Sequence, residues 1–197
     1  MKIDDIAEVM RFQDRREAAA DGEEPGEKEH VWSEVKVENF DPLTGFVMPE
    51  GLGLIELYRA PRKYALRKHD ILMYVNGARE KIGLAGLVID SPRAVPSRAT
   101  CVIRCFQPVA LALYYFLREP AIREELVRSA CRDTTGAKAF LTQEGIRNFE
   151  IAPLFLHALE AVEDKMRRMI ENYKDFRKAQ KEELYEIMKH MYTAWPE

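Results

Sequence analysis

The sequence predicts an α+β protein. A curved, partly barrel-like β-sheet with flanking helices occupies residues 1–153, and one long coiled-coil helix occupies 154–197. Two observations predict it. Several short apolar runs are split by Gly, Pro and Asn-Gly, the pattern of strands in a curved sheet. After residue 153 there is no Gly, and no Pro until Pro196, while apolar residues recur at steps of three and four.

Along the chain, Ile3, Ile6, Val9 and Met10 fall at helical spacing and predict an amphipathic helix. Ala18 to Glu29 is acidic with Gly and Pro, and reads as a surface loop. Alternation at Val31, Ser33, Val35 and Val37 suits a half-buried strand. Strands are expected at Gly53–Tyr58, at Asp70–Val75 with Asn76-Gly77 as its tight turn, at Gly83–Ile89 and at Ala99–Cys105. Helices follow over Val109–Leu117, from Pro120 through Ala130, and over Gln143–Phe149 with Thr142 as N-cap.

The predicted seam of the long helix is Leu159, Val162, Met166, Met169, Tyr173, Phe176, Gln180, Leu184, Ile187 and Met191. Its early steps alternate three and four; the doubled four around Gln180 is a stutter that shifts the supercoil locally. About 38 residues at ~1.5 Å each exceed what a domain of this size can cover, so the helix is expected to project and to find a partner helix.

Composition excludes several classes. The 197 residues carry a net charge of −3, distributed unevenly: residues 1–50 hold 6 Lys+Arg against 14 Asp+Glu, residues 51–150 hold 16 against 10, and the remainder 8 against 9. A basic middle third hints at a polyanion partner. No apolar run approaches the ~18 residues of a membrane span, and the charged opening is unlike a secretory signal, so the cytoplasm is the expected location. Cys101, Cys105 and Cys131 lack zinc spacing; Cys101 and Cys105 share one face of a strand as core residues. There is no phosphate loop, no dinucleotide fingerprint, no nucleophile elbow and no zinc-protease motif, and the four histidines are scattered. No catalytic residue, metal site or cofactor is expected.

Cations instead gather in loops beside the strands: Arg59, Arg62, Lys63 and Arg67 before one strand, Arg79 and Lys81 with Asn76 after it, Arg98 beside Ser97, and Arg132 with Thr134, Thr135 and Lys138 between two helices. Arg and Lys neutralise phosphates, Asn, Ser and Thr add directed hydrogen bonds, and Arg can address guanine in the major groove.

The ordered pieces resemble one target-recognition domain of a type I restriction-modification specificity (S) subunit. The opening Lys2–Val9 resembles the start of such half-subunits. His69-Asp70-Ile71-Leu72 resembles the family's "GDIL" phrase with His in place of Gly, and Asn76 to Gly83 its basic Gly loop ending in "KIG". Pro96-Ser97-Arg98-Ala99 and Cys101 to Arg104 resemble the phrase leading into "viR", Leu113 to Arg118 the "yyLrs" helix, and Leu141 to Leu154 the ending before the spacer helix. The resemblance implies non-catalytic recognition of a bipartite site in double-stranded DNA. Its implied partners are an adenine-specific methyltransferase (M) subunit, a restriction (R) subunit in some assemblies, and a second copy paired through the long helix. A different class of reading, a coiled-coil adaptor with merely solvated cations, would show no steep salt dependence of DNA binding. A fragment acting beside a separate catalytic half is a third; the chain has no adenine-methylation signature of its own.

Overall fold

The computed structural model describes residues 1–12, 30–48, 50–57, 63–90, 92–106, 108–132, 134, 136, 138–152 and 159–193, with side chains of the last helix described over 161–188. The expected acidic loop and the junction before the long helix lie outside these residues.

The chain is organised by a four-stranded antiparallel sheet in the order β1 (Ala7–Arg11), β8 (Thr100–Cys105), β4 (Ile71–Tyr74) and β6 (Ala85–Leu87). Both faces of this sheet are covered. The row Val9–Ile103–Ile71–Leu87 points into one apolar core, and Met10, Val102 and Leu72 point into another on the opposite face. Gly86 completes that second row, because a Cβ there would meet the Phe40 ring at 2.7 Å. Double burial explains why β4 reads as an unbroken apolar run rather than an alternating one.

It also corrects the expected first helix. Ile3–Asp5 is a single 3-10 turn and Ala7–Arg11 is a strand. Adjacent Val9 and Met10 fit a strand with two buried faces, each taking one side, and this pairing mimics helical spacing. Cys101 and Cys105 do share the first core, and burial pushes both thiols up to about 12.

A second sheet, β3 (Gly53–Leu57), β2 (His30–Val35) and β7 (Ala94–Pro96), lies beyond the other core, with β2 and β7 parallel. Val37, expected in β2, belongs to the following 3-10 turn. On the first face pack α1 (Ala110–Leu117), α2 (Pro120–Ser129) and α3 (Gln143–Arg147). Pro120 opens α2, where its missing N–H costs nothing, and Thr142 caps α3 by accepting from Gly145 N at 2.9 Å. No closed barrel forms among the described residues.

Asn76-Gly77 is not the expected hairpin turn. Asn76–Ala78 is a strand, β5, in a third sheet ordered β5, β10 (Lys138–Phe140), β9 (Cys131–Arg132). The chain returns from β4 to β6 through the 3-10 turn Arg79–Lys81 and through Gly83 at φ +75°.

His69 is the one described non-glycine residue at positive φ, +70°. This is the position where the resembling family carries Gly, which enters the left-handed region without a Cβ clash. His69→Gly is expected to raise stability by about 0.5–1 kcal/mol. Burial first, then the charges of Lys68, Arg167 and Lys174, holds the His69 imidazole below its usual pKa. A group harder to protonate when folded loses stability as pH falls through its unfolded value near ~6.5, so the advantage of the Gly variant should widen from pH 7.5 to pH 5.5. Thermal melts at both pH values check this; an equal or smaller gap at the lower pH would contradict it.

The long helix α4 (Leu159–Thr193) divides its apolar stripe between two environments. Met166 and Ile170 are buried against the domain, Val162 packs on the same core, and Tyr173 meets Phe46 edge-on at 5.1 Å. Glu163 reaches the start of α1, accepting from Leu111 N at 3.0 Å and Ala112 N at 3.1 Å. Lys174 pairs with Asp90, Arg177 with Glu50 at 3.1 Å and Lys181 with Glu50 at 2.6 Å. The expectation that the whole seam faces a partner is thereby corrected: Val162, Met166 and Tyr173 are used by the chain's own domain. Beyond Lys181 the stripe continues without a covering element among the described residues, about 18 Å of helix at ~1.5 Å per residue. Phe176, Leu184 and Ile187 are 58%, 57% and 50% exposed, Met169 is partly exposed, and Gln180 is exposed between them. The side chains of Leu159 and Met191 lie outside the described set.

Candidate nucleic-acid interface

Three of the four predicted cationic loops meet at one end of the four-stranded sheet. Where β4 ends, Val75 N and Asn76 N both donate to Ala99 O, at 2.8 and 3.2 Å, bringing the Arg98 turn beside β5. Leu141 N donates to Val75 O at 2.8 Å, bringing in β10. The third sheet then sets Lys138 opposite Ala78, Phe140 opposite Asn76, and Arg132 opposite Ala139. Asn76, Arg79, Arg98, Arg132, Thr134 and Lys138 are all exposed. Residues far apart in sequence thus form one cationic end.

Lys81 adjoins this end with its charge already engaged, pairing with Glu38 at 2.7 Å. That hydrogen bond is the main reason the Glu38 carboxyl sits below its usual pKa and the Lys81 amine above its own. A groove of about 690 Å³ runs between the Arg79–Lys81 turn and α2, with Arg79 and Arg128 among its lining residues. Arg123 forms its floor support, donating to Ile82 O at 3.2 Å and also to Glu80 O. Arg128 was not singled out from sequence. It is the exposed basic residue in the last turn of α2, just before Cys131-Arg132, and that adjacency is the signal that could have found it.

Three expected contributors are elsewhere. Ser97 is buried; its N–H donates to Val35 O at 2.9 Å and its hydroxyl lies 3.4 Å from that of Thr100, so it fixes the turn rather than meeting a ligand. Lys63 and Arg67 sit at the opposite end of β4, whose four residues span roughly 10 Å at about 3.4 Å per residue. Lys63 pairs there with Glu8 at 3.2 Å. Arg67 lines a cleft of about 290 Å³ with Asp70, Arg104 and the α4 residues Glu163 and Arg167. Arg59, Arg62 and Thr135 lie outside the described residues.

The sheet therefore has two dissimilar ends. α4 docks where β4 begins, and the cationic loops gather where it finishes. The solved HsdS subunit from Thermoanaerobacter tengcongensis is similar over 100% of this chain and 49% of its own, with a TM-score of 0.53 at 17% identity. The chain shares the fold of about half of an HsdS subunit. A second match is a chain from a solved structure of the type I R-M system that addresses its complex assembly and conformational transition; it covers 95% of this chain and 42% of its own, with a TM-score of 0.50 at 13% identity. The chain spans about half or less of the solved chains it matches. No protein-family model and no curated protein sequence matches it. Within this fold, the cationic β5–β10–β9 sheet and the groove beside α2, which Glu80 and Glu124 line along with its arginines, lie at the end away from α4. No helix among the described residues is long and apolar enough to cross a membrane.

Proposed function

We propose that this chain is a DNA-specificity subunit of a restriction-modification system: it recognises duplex DNA without catalysis of its own and directs an adenine methyltransferase, and where present a restriction subunit, to a split site. The observation that carries this reading is the gathering of Asn76, Arg79, Arg98, Arg132 and Lys138 at the sheet end remote from α4, within an HsdS fold. Cations fix the register on the phosphates, and exposed polar groups between them reach base edges. Separating the reader from the helix leaves α4 free to join subunits while DNA is bound.

One such domain reads one half-site. The exposed end of α4 supports pairing of two copies, and two-fold symmetry then favours a palindromic split site whose spacing follows helix length. Light-scattering mass tests the pairing. The parent chain is expected as a dimer. Leu184→Asp combined with Ile187→Asp is expected as a monomer with unchanged domain stability, since both side chains are exposed in the single chain but would be buried in the pair. A double variant that still dimerises would contradict this role for α4. Steeply salt-dependent DNA binding separates the specificity reading from the adaptor reading.

A further inference from the structure

We infer that Phe140 and Asn76 together read one A·T base pair in the major groove. This rests on the DNA-recognition reading above. Phe140 is 40% exposed although its chain neighbours Ala139 and Leu141 are buried. It stands directly opposite Asn76 across the β5–β10 pair. The Asn76 side chain is exposed.

Directly opposed side chains in a strand pair lie about 5 Å apart and project from the same face. The major groove admits a two-stranded β-ribbon, and β5–β10 is such a pair, with the two-residue β9 at its edge; an A·T pair there offers the adenine N6–H and N7 beside the thymine 5-methyl. A carboxamide matches the adenine edge with two hydrogen bonds, and an aromatic ring matches the methyl group. Placed side by side, Asn76 and Phe140 supply both halves of that pattern. Lys138 is on the same face, two residues from Phe140, with Arg79 next along the chain from β5, so phosphate contacts can hold the ribbon in register. Gly77 keeps the row in place: its φ is +137°, and a Cβ there would overlap the Tyr74 hydroxyl beneath β5.

The test starts by selecting preferred duplexes from a randomised-core pool with the full chain. Each thymine of the selected duplex is then replaced by deoxyuridine, removing only the methyl, and each adenine by 7-deaza-deoxyadenosine, removing only N7. At one A·T pair, deoxyuridine is expected to weaken the parent about fivefold and to leave Phe140→Ala unaffected; the deaza base is expected to weaken the parent about tenfold and to leave Asn76→Ala unaffected. Melting temperatures and salt slopes of both variants should match the parent, which separates lost reading from lost folding. An enriched pool in which neither analogue distinguishes variant from parent, or in which the two sensitivities fall on different pairs, overturns this inference alone. A pool without enrichment overturns the DNA reading and this inference with it.

Discussion

Asp70→Ala is expected to cost about 3–5 kcal/mol of folding stability, the largest effect of any single substitution considered for this chain. Asp70 is 2% exposed and holds Arg104 through two bonds, Nε to Oδ1 at 2.8 Å and Nη2 to Oδ2 at 2.6 Å. Its Oδ2 also accepts from Arg67 N at 2.8 Å. Arg104 in turn donates to Lys63 O at 3.3 Å and Ala65 O at 2.9 Å, so one carboxylate organises the whole stretch before β4. Removing it strands a guanidinium with 16% side-chain exposure and an amide whose partner is gone. The exposed Lys63–Glu8 pair is the control: Lys63→Ala should change stability by no more than about 0.5 kcal/mol. Urea denaturation of both variants measures the contrast. A loss below ~1 kcal/mol for Asp70→Ala would show that the pair contributes little to the fold.

The second large effect concerns DNA. Replacing Arg79, Arg132 and Lys138 together by Ala is expected to weaken duplex binding by roughly 10²-fold, at about 1 kcal/mol per lost charged contact. The same variant should reduce the slope of log K against log salt by about three, one for each phosphate no longer neutralised. Stability should hold, because all three side chains are exposed. Replacing Lys63 and Arg67 at the other end of the sheet should change the slope little. Titrations at several salt concentrations decide the matter; an equal loss from both sets of substitutions would mean that charge anywhere on the surface suffices, and the localised interface would be wrong.

Much of the fold was legible because local signals and tertiary demands agree. Thr142 before Gln143 caps a helix, Pro120 opens one, and the Gly- and Pro-free stretch Leu159–Thr193 is one continuous helix. The misreadings share a cause: the same residues serve two geometries. Val9 beside Met10 suits a helix stripe or a strand buried on both faces, and only the pairing with β8 selects the strand. Asn76-Gly77 suits a hairpin turn, but a distant strand, β10, captures it. The seam of α4 is periodic throughout, yet periodicity carries no information about where the domain stops covering it; Met166 is buried and Ile187 is not. For the site, loop cations were visible in sequence, whereas their sorting to two ends of the sheet was not, since it depends on which strand termini are adjacent. Phe140 was missed because an exposed aromatic on a three-residue strand has no periodic signature.

The most direct test of the central claim is methylation sequencing of DNA from cells that co-express this chain with an adenine methyltransferase subunit. Adenine marks are expected in one split motif, present with the parent chain and lost or redirected with the Arg79, Arg132 and Lys138 triple variant. Unmarked DNA, or marks identical with the parent, the triple variant and the methyltransferase alone, would contradict it.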